Sequence, residues 1–344
     1  MATKYSAHDA SGGGAGTILD PYTDQELFDN VDGSTNALGL MMNTGTYTPA
    51  ATLDFDVNAG TDLLPGIIRG ANADGSDDGT VATISGSGLG AGDDLIDIGM
   101  VMYRIFENLR FTAATQYNIF CDQNAYINFI NCQIDTAASH NMYVAATLGR
   151  FELFYSEINN SVAGSGLAVS GAARGRYSAY RCKIHHNKVH GIHDGCSHLP
   201  YHQPGIIEDC FIYRNEGDGI NHELSGAGYI GPIIRGNVIA FNDGDGLAVA
   251  NTKSAMIVEN DIFRSNGGYA INTNTGTIKQ ITSCKNNCSN NNTSGHIDIN
   301  TNVLPGTGNI TTDPKFVSEV DGSEDFSLQS DSPCLAAGID GGIW

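Results

Sequence analysis

Short apolar runs recur along the chain at intervals in the twenties, separated by Gly, Asn and Asp. Three successive segments between Pro204 and Thr275 read PGIIEDCFIYRNEGDGINHEL, GPIIRGNVIAFNDGDGLAVANT and SAMIVENDIFRSNGGYAINTNT. Aligning Cys210, Asn237 and Asn260 brings the three segments into one register. An Ile then lies three residues before each aligned position and another two residues after it: Ile207, Ile234, Ile257, and Ile212, Ile239, Ile262.

The same register extends over most of the chain. The aligned ladder positions are Asn108, Cys132, Ser156, Cys182, Cys210, Asn237, Asn260 and Cys284. A second apolar strand follows at Ile119, Tyr143, Leu167, Ile192, Ile220, Leu247 and Ala270. Such a regular spacing is typical of solenoids, and helical solenoids are excluded because the runs are short and alternate with period two. We therefore predict an all-β, right-handed parallel β-helix of roughly 8–10 coils.

Asn, Cys and Ser at the ladder positions indicate an inward-facing stack at a bend of the coil. An Asn amide there can bond to the coils on both sides, and Cys packs as a small apolar side chain. Four of the eight cysteines lie on this ladder, so we favour buried, reduced thiols. A disulfide between Cys182 and Cys210 remains an alternative, because they would lie in adjacent coils.

Both ends of the chain differ from the repeats, which predicts three parts: an N-terminal cap (1–50), the β-helix (51–302) and a C-terminal capping segment (303–344). The cap contains a short helical pattern that opens at Asp20 and Pro21, with Asp20 as N-cap and Leu27, Phe28 and Val31 on one face. A helix that plugs the first coil would cover its strand edges.

The composition is strongly acidic. Seventeen Lys and Arg against 38 Asp and Glu give a formal net charge of −21, which disfavours binding to nucleic acid phosphates and to anionic membranes. No run of 18 apolar residues occurs, so no transmembrane helix is predicted. The N-terminal sequence MATKYSAHDASGGGAG does not resemble a signal peptide, so we expect cytosolic synthesis or a leader removed for expression.

One row of candidate catalytic residues comes eight residues after the ladder. His190, Asp218 and Asp245 occupy this position in three successive coils, about 5 Å apart per coil, close to the carboxylate separation of retaining glycosidases. Each also precedes a glycine (Gly191, Gly219 and Gly246). The favoured interpretation is that they form the turn, and catalysis is the alternative.

Six of the ten histidines fall between His185 and His202: His185, His186, His190, His193, His198 and His202. Asp194 and Cys196 lie among them. Because the segment Gly191 to Gln203 is an enlarged loop, we predict a binding or subunit interface there, with a site for zinc or another transition metal as the second choice. His193 and Asp194 would lie beside His222 and Glu223 of the next coil. These four residues are predicted to line a groove that binds glycan or does acid/base chemistry.

Acidic residues also cluster near the start of the solenoid. Asp74, Asp77, Asp78, Asp93 and Asp94 are hard oxygen ligands of the kind that calcium prefers, but their spacing fits no calcium-loop pattern. We expect solvated turns and no cofactor, with Ca²⁺ kept as an alternative.

The two ends of the chain resemble the caps of a large family of right-handed β-helix repeat proteins. The C-terminal match consists of Asp313, Pro314, Phe316, Asp325, Phe326, Leu328, Ser332, Pro333, Ala336, Ala337 and Gly338. At the N-terminus it consists of Tyr5, Ser6, Gly12 to Gly14, the Pro21 to Val31 segment and Gly45 to Thr48. The family includes polysaccharide lyases, hydrolases and epimerases, bacterial surface proteins, and phage tailspikes and other virion proteins.

This resemblance implies two classes of function. We expect a structural bacteriophage virion protein, a capsid decoration or a tail spike or fibre component, assembled in the host cytoplasm as a homotrimer with other virion proteins and able to bind glycans. The alternative is a secreted polysaccharide lyase or glycoside hydrolase that acts in a groove along the β-helix. A surface adhesion module is a third hypothesis. We expect no enzyme activity in the first case, and no nucleic acid or membrane partner.

Overall fold

The chain folds as an all-β, right-handed parallel β-solenoid of about eight turns with few helices. The computed structural model describes residues 3–31, 38–54, 60–61, 64–76, 78–99, 103–122, 125–145, 150–171, 176–196, 205–223, 230–250, 255–273, 281–297 and 306–341. By internal contacts the chain divides into two compact units, residues 1–167 and 168–344. None of the helices in the described ranges is long and apolar enough to cross a bilayer. The predicted part boundaries at residues 50 and 302 stay a prediction.

The N-terminal unit contains three parallel sheets. Sheet A comprises β1 (Thr3–Ser6), β2 (Leu38–Met42), β5 (Leu64–Ala71), β8 (Arg104–Glu107), β11 (Tyr126–Ile130) and β14 (Arg150–Phe154). Sheet B comprises β6 (Ala82–Ser85), β9 (Leu109–Thr112), β12 (Gln133–Asp135) and β15 (Glu157–Asn159), and sheet C comprises β3 (Leu53–Asp54), β7 (Ile96–Ile98), β10 (Ile119–Cys121) and β13 (Met142–Val144). The short β4 (Gly60–Thr61) pairs antiparallel with β5, and a 3₁₀ turn spans Gly86–Gly88.

The C-terminal unit repeats this order as sheets A′, B′ and C′. Sheet A′ comprises β17 (Arg176–Tyr180), β20 (Ile206–Glu208), β23 (Ile230–Arg235), β26 (Ala255–Glu259) and β29 (Ile281–Lys285). Sheet B′ comprises β18 (Lys183–His185), β21 (Phe211–Tyr213), β24 (Val238–Ala240), β27 (Ile262–Arg264) and β30 (Cys288–Asn290). Sheet C′ comprises β19 (Ile192–Cys196), β22 (Ile220–His222), β25 (Leu247–Val249), β28 (Tyr269–Asn272) and β31 (Gly295–Ile297). The strand β16 (Leu167–Gly171) contains the boundary between the units.

Alternation along each strand separates the core from the outer faces. In β11, Ile127 and Phe129 are buried, whereas Asn128 and Ile130 face outward. Phe129 stacks on Phe106 of the preceding coil, with ring centroids 5.2 Å apart. Equivalent residues of successive coils therefore form continuous apolar stacks inside the solenoid, and the outer faces are free to carry function.

Left-handed residues at the bends lead into two ladders of buried polar side chains. Asp209, with φ of 55°, precedes Cys210 at the bend between sheets A′ and B′. At the same bend one coil later, Asn237 donates from its amide to the backbone oxygen of Ile207, 3.0 Å away. The second ladder, between sheets B′ and C′, links coil to coil through Asn187, Asn215, Asn242, Asn266 and Asn292. The predicted inward stack is confirmed at five positions: Cys132, Ser156, Cys182, Cys210 and Asn237.

The register predicted from the sequence is wrong by one residue in the third repeat. Val238 pairs with Ile262, so Asn237 stacks on Asp261 rather than on Asn260, and the interval that follows Asn237 is one residue longer than predicted. As a result of this error, Val258, Phe263 and Ile271 take the predicted places of Ile257, Ile262 and Ala270. Separate errors affect other coils: Leu109 takes the place of Asn108 and Met142 that of Tyr143, each one residue away, and Asn287 takes the place of Cys284, three residues away.

The predicted cap helix exists but begins later than expected. Helix α1 spans Asp24–Asn30, and its N-cap is Thr23 rather than Asp20. Thr23 and Glu26 form a reciprocal capping box, which satisfies two N–H groups at once. The helix buries Leu27 and Phe28, as the sequence predicts.

The C-terminal segment folds back over the outer face of sheet B′. It forms the antiparallel strands β32 (Phe316–Ser318) and β33 (Asp325–Leu328), followed by the short helix α2 (Pro333–Ala336). Phe326 packs edge-on to Tyr213, with centroids 5.0 Å apart, and Arg214 bonds Glu324 at 2.5 Å. The segment thus covers apolar side chains that would otherwise be exposed.

Candidate functional site

The predicted catalytic row forms the bend that leads into sheet C′. The N–H of Asp218 donates to Nδ1 of His190 at 3.0 Å, and the N–H of Asp245 donates to Oδ1 of Asp218 at 2.7 Å. The N–H of Tyr269 donates to Oδ1 of Asp245 at 2.6 Å. The three side chains stack in successive coils, as the sequence predicts, and each accepts a backbone N–H from the next coil.

Asparagine amides occupy the remaining oxygens of this row. Asn221 donates to Oδ2 of Asp218 at 2.8 Å, and Asn272 donates to Oδ2 of Asp245 at 2.7 Å. Burial lowers the pKa of His190, against the opposing effect of the Asp218 charge. Because its Nδ1 accepts an N–H, the neutral ring carries its proton on Nε2. In this geometry the three side chains stabilise the turn, and catalysis by His190, Asp218 or Asp245 stays a prediction.

The four residues of the predicted histidine groove do not share a surface. Because Ile192 points into the core, His193 faces outward and Asp194 is fully buried. In the next coil, His222 is also fully buried and Glu223 is exposed. The correction follows from strand alternation: each pair of consecutive residues contributes one side chain to each face.

Asp194 and His222 belong to a polar cluster inside the C-terminal unit. Oδ2 of Asp194 lies 3.0 Å from Nδ1 of His222 and accepts the Tyr177 hydroxyl, also at 3.0 Å. Nε2 of His222 is buried and has no hydrogen-bond partner among the described residues. The cluster joins sheets A′ and C′ across the core, since Tyr177 lies on β17 and Asp194 on β19.

The other histidines of the predicted cluster are divided between two faces. His185 and His186 lie beside the C-terminal segment, with Nε2 of His186 3.1 Å from Asp321. His190 and His193 stack on the sheet C′ side, with centroids 5.6 Å apart. His198 and His202 lie outside the described residues, as does the side chain of Cys196. No group of three or more metal-ligating side chains occurs in the part of the chain that the structure describes.

The acidic residues considered for calcium support local turns. Asp74 accepts the N–H of Ser76, and Asp78 accepts the N–H of Thr80 and the amide of Asn72. Asp93 accepts the N–H of Gly90 at 3.0 Å, and Asp94 that of Tyr117 at 3.1 Å. Burial raises the pKa of Asp94 to about 6. Asp77 lies outside the described residues, and a calcium site stays a prediction.

A different site lies on the outer face of sheet A, where three successive strands present aromatic, amide and charged side chains. The sheet A pocket, of about 150 Å³, is lined by Pro65, Tyr103, Arg104, Ile105, Tyr126, Asn128, Arg150 and Glu152. Strand pairing places Tyr126 beside Arg150, and Asn128 between Ile105 and Glu152. Seven of the eight lining residues therefore lie on rigid strands, and Tyr103 lies immediately before β8.

Two side-chain pairs define the chemistry of the sheet A pocket. The rings of Tyr103 and Tyr126 stack, with centroids 4.8 Å apart and planes within 14°, and Tyr126 remains 41% exposed. The guanidinium of Arg150 lies 2.7 Å from Oε1 of Glu152. Arg150 is half exposed whereas the Glu152 side chain is only 8% exposed. A ligand thus meets an aromatic wall beside an accessible ion pair.

Arg104 contributes to the base of the pocket and anchors the N-terminal cap. It is buried and donates from Nη1 to the backbone oxygen of Val31, at 2.5 Å. Val31 follows directly after helix α1. Its Nη1 therefore holds the end of helix α1 from below the pocket.

Comparison with known families identifies the fold. The sequence matches the profile of the right-handed beta helix region over residues 117–293 and 178–324, together more than half of the chain. The chain belongs to the right-handed β-helix family. No curated protein matches its sequence significantly.

Two solved structures share this β-helix over nearly the whole chain. The pectate lyase Pel9A is 18% identical, with a TM-score of 0.68, and the match covers 96% of this chain and 90% of the lyase. A rhamnogalacturonan lyase is 15% identical, with a TM-score of 0.65, covering 96% of this chain and 97% of that protein. At such identities the likeness concerns the fold alone.

The sheet A pocket was missed in the sequence because no motif marks it. Its signal is the repeat itself: Tyr103, Tyr126 and Arg150 follow one another at a single repeat period, and so do Asn128 and Glu152. Residues one period apart on the outward positions of a β-helix become neighbours. The pattern is visible only after the outward positions have been separated from the inward ones.

Proposed function

We propose that this β-helix protein binds polysaccharide at the sheet A pocket. The observation that carries the proposal is the exposed Tyr126, stacked on Tyr103 and placed next to the Arg150–Glu152 ion pair. A pyranose ring has an apolar face of C–H groups that packs on the electron-rich face of an aromatic ring. Its hydroxyl groups are both donors and acceptors, which a carboxylate and a guanidinium complement.

The size and position of the pocket support recognition of part of a chain rather than of an enclosed ligand. Its volume of about 150 Å³ is smaller than the roughly 300–1,000 Å³ of sites that enclose a drug-sized ligand. A single sugar ring would therefore occupy the pocket while neighbouring rings lie along the outer face of the sheet. The two solved proteins of similar fold are named as a pectate lyase and a rhamnogalacturonan lyase.

We further propose that the protein is a structural component of a bacteriophage virion, a capsid decoration or tail spike or fibre protein assembled as a homotrimer in the host cytoplasm. The state of the cysteines supports this setting. Five of the cysteines, Cys182, Cys210, Cys284, Cys288 and Cys334, are buried thiols outside any disulfide among the described residues, as suits a protein assembled in a reducing cytosol. Sedimentation equilibrium should give three copies of the 36.3 kDa chain, and mass spectrometry should find the protein in purified virions.

The second candidate function is a polysaccharide lyase or glycoside hydrolase. The fold shared with the two lyases over 96% of the chain favours it. In that case Glu152 would act as the acid or base, since it is the carboxylate among the described pocket residues. Release of reducing ends or unsaturated products that disappears in Glu152→Gln would establish the enzyme.

A polysaccharide binding assay with matched variants tests the proposal. Tyr126→Ala should weaken binding of the recognised polysaccharide at least about tenfold, equivalent to about 1.4 kcal/mol. Tyr155→Ala is the control, because Tyr155 is 52% exposed in the same unit but does not line the pocket. Equal loss in both variants, or wild-type protein that retains no polysaccharide from a broad panel, would contradict the proposal.

A further inference from the structure

We propose that the glycan recognised at the sheet A pocket is uncharged, and that the site discriminates against polyuronates. This inference rests on the proposed function and specifies its substrate class. It differs from what the names of the two lyases of similar fold suggest. Three observations carry it: the charge of the N-terminal unit, the placement of its few cations and the composition of the pocket.

The negative charge of the chain is concentrated in the unit that holds the pocket. Residues 1–167 contain five Lys and Arg and 20 Asp and Glu, a net charge of −15 (5 − 20). Residues 168–344 contain 12 Lys and Arg and 18 Asp and Glu, a net charge of −6 (12 − 18). The two net charges add up to the −21 of the whole chain. A polyanion that approaches the pocket therefore meets a repulsive field.

Each of the five cations of this unit already has a partner. Arg69 is paired with Glu107, Arg110 with Asp135 and Arg150 with Glu152. Arg104 donates to the backbone oxygen of Val31, and Lys4 donates to that of Ala15. Residues 1–167 contain no further Lys or Arg. The accessible cation of the pocket, Arg150, is thus already neutralised by Glu152, and Arg104 is buried at the base of the pocket.

A metal bridge between protein and polyuronate also lacks the required ligands. Cations such as Ca²⁺ need about six to eight oxygen ligands, usually with several carboxylates. The described lining of the pocket contains one carboxylate, that of Glu152, and it is already paired with Arg150. No group of three or more metal-ligating side chains occurs elsewhere among the described residues.

An uncharged glycan can bind the same pocket without electrostatic repulsion from the acidic unit. The Arg150–Glu152 pair is neutral overall, and it can donate to one hydroxyl group and accept from another. Asn128 adds an amide with both functions next to it. Binding to such a ligand should depend little on salt, because no counter-ions are released.

The test measures binding of polysaccharides by affinity electrophoresis, at low and high NaCl and with CaCl₂ or EDTA. The uncharged ligands are a β-glucan, a xyloglucan and a galactomannan, and the charged ligands are polygalacturonate and chitosan. We expect at least one uncharged glycan to bind, with less than about a threefold change over the salt range, and Tyr126→Ala to abolish this binding. Salt-sensitive or calcium-dependent binding of polygalacturonate or chitosan by the wild type, lost in Tyr126→Ala, would overturn the inference and leave the proposed function standing. No binding to any glycan would overturn both.

A charge variant provides an independent test. Glu152→Gln leaves Arg150 without its partner and should create weak, salt-sensitive binding of polygalacturonate, at least about tenfold above the wild type at low salt. Glu157→Gln is the matched control, because it makes the same charge change on sheet B and does not line the pocket. If both variants gain equally, general charge rather than the pocket governs the exclusion of polyuronate, and the inference is wrong.

Discussion

The backbone N–H of Asp245 donates a hydrogen bond to the side chain of Asp218, one coil earlier, at 2.7 Å. Asp245 in turn accepts the N–H of Tyr269, one coil later, at 2.6 Å. Each aspartate thus joins two coils at a bend, where the following glycine allows close approach. A row that resembles paired catalytic carboxylates in the sequence is a row of coil-to-coil hydrogen bonds in the structure.

Removing one member of this row should lower stability without abolishing folding or glycan binding. Asp245→Ala deprives the N–H of Tyr269 and the amide of Asn272 of their acceptor. We expect a loss of about 1–3 kcal/mol in the free energy of unfolding, measured by urea denaturation. Asp243→Ala, at an exposed position of the same turn, should change stability by less than about 0.5 kcal/mol. Loss of polysaccharide binding in a folded Asp245→Ala protein would instead restore the row as a functional site.

Asp261 should make stability fall as pH rises. It is fully buried, and burial raises its pKa from 3.8 to about 8. The folded state therefore holds a proton that the unfolded state releases between about pH 4 and pH 8. The stabilisation is complete below about pH 4 and decreases through this window, by up to about 1.4 kcal/mol per pH unit.

Asp261→Asn should remove this dependence. Asparagine carries the amide that Asn237 and Asn287 already use at equivalent positions of the ladder. The variant should be more stable than the wild type at pH 8, and the difference should shrink toward pH 4. Urea unfolding at pH 5 and pH 8 measures the difference in stability between the variant and the wild type, with Asp243→Asn as the control. A wild-type protein whose stability is unchanged or higher at pH 8, with no gain in the variant, would mean that Asp261 is ionised in the fold.

Two adjacent isoleucines test the assignment of faces in β23. Ile234 is fully buried, whereas Ile233 is partly exposed on the outer face. Ile234→Asp buries an unpaired charge and should cost on the order of 4 kcal/mol or more. Ile233→Asp should cost only about 1 kcal/mol. Thermal unfolding of the two variants measures the difference, and a larger loss of stability in Ile233→Asp than in Ile234→Asp would show that the strand has the opposite face inward.

The C-terminal segment should loosen when its partly buried ion pair is broken. Arg214 bonds Glu324 at 2.5 Å and the backbone oxygen of Glu319 at 2.8 Å. Arg214→Met leaves Glu324, which is 7% exposed, without this partner, and should cost roughly 1–3 kcal/mol. Trypsin should then cleave faster after Lys315 than in the wild type.

The matched control for this change is Arg181→Met. Arg181 lies 3.7 Å from Asp209 and is 45% exposed, so its loss should cost less than about 1 kcal/mol and leave cleavage after Lys315 unchanged. If Arg214→Met is cleaved no faster than this control, the segment is held by its apolar contacts alone.

The sequence was sufficient to predict the class of fold, because period and alternation follow directly from stacking. It did not define the register in the third repeat, where Asn260 and Asp261 are consecutive. Asn260 adopts the left-handed conformation, with φ of 60°, and Asp261 occupies the ladder. Asparagine suits both positions, since it tolerates positive φ and also forms amide ladders. Only strand pairing separates the two assignments.

The candidate site was harder to predict than the fold. The unusual density of histidines in residues 185–202 predicts a site there, but strand alternation places Asp194 in the core and His193 on the outer face. This arrangement follows from the alternation of side chains along a β-strand, once Ile192 is known to face the core. By contrast, the sheet A pocket depends on Tyr103, which lies just before β8 and stacks on Tyr126 of the next coil. No local pattern encodes that contact.

Hydrogen–deuterium exchange with and without a bound oligosaccharide tests the central claim most directly. Using an uncharged oligosaccharide that the protein retains, we expect protection of amides in β11 and β14, which carry Tyr126, Asn128, Arg150 and Glu152. This protection should be absent in Tyr126→Ala and present in Tyr155→Ala. Protection confined to sheets B′ and C′ or to the C-terminal segment, with β11 and β14 unchanged, would contradict the assignment of the sheet A pocket as the glycan site.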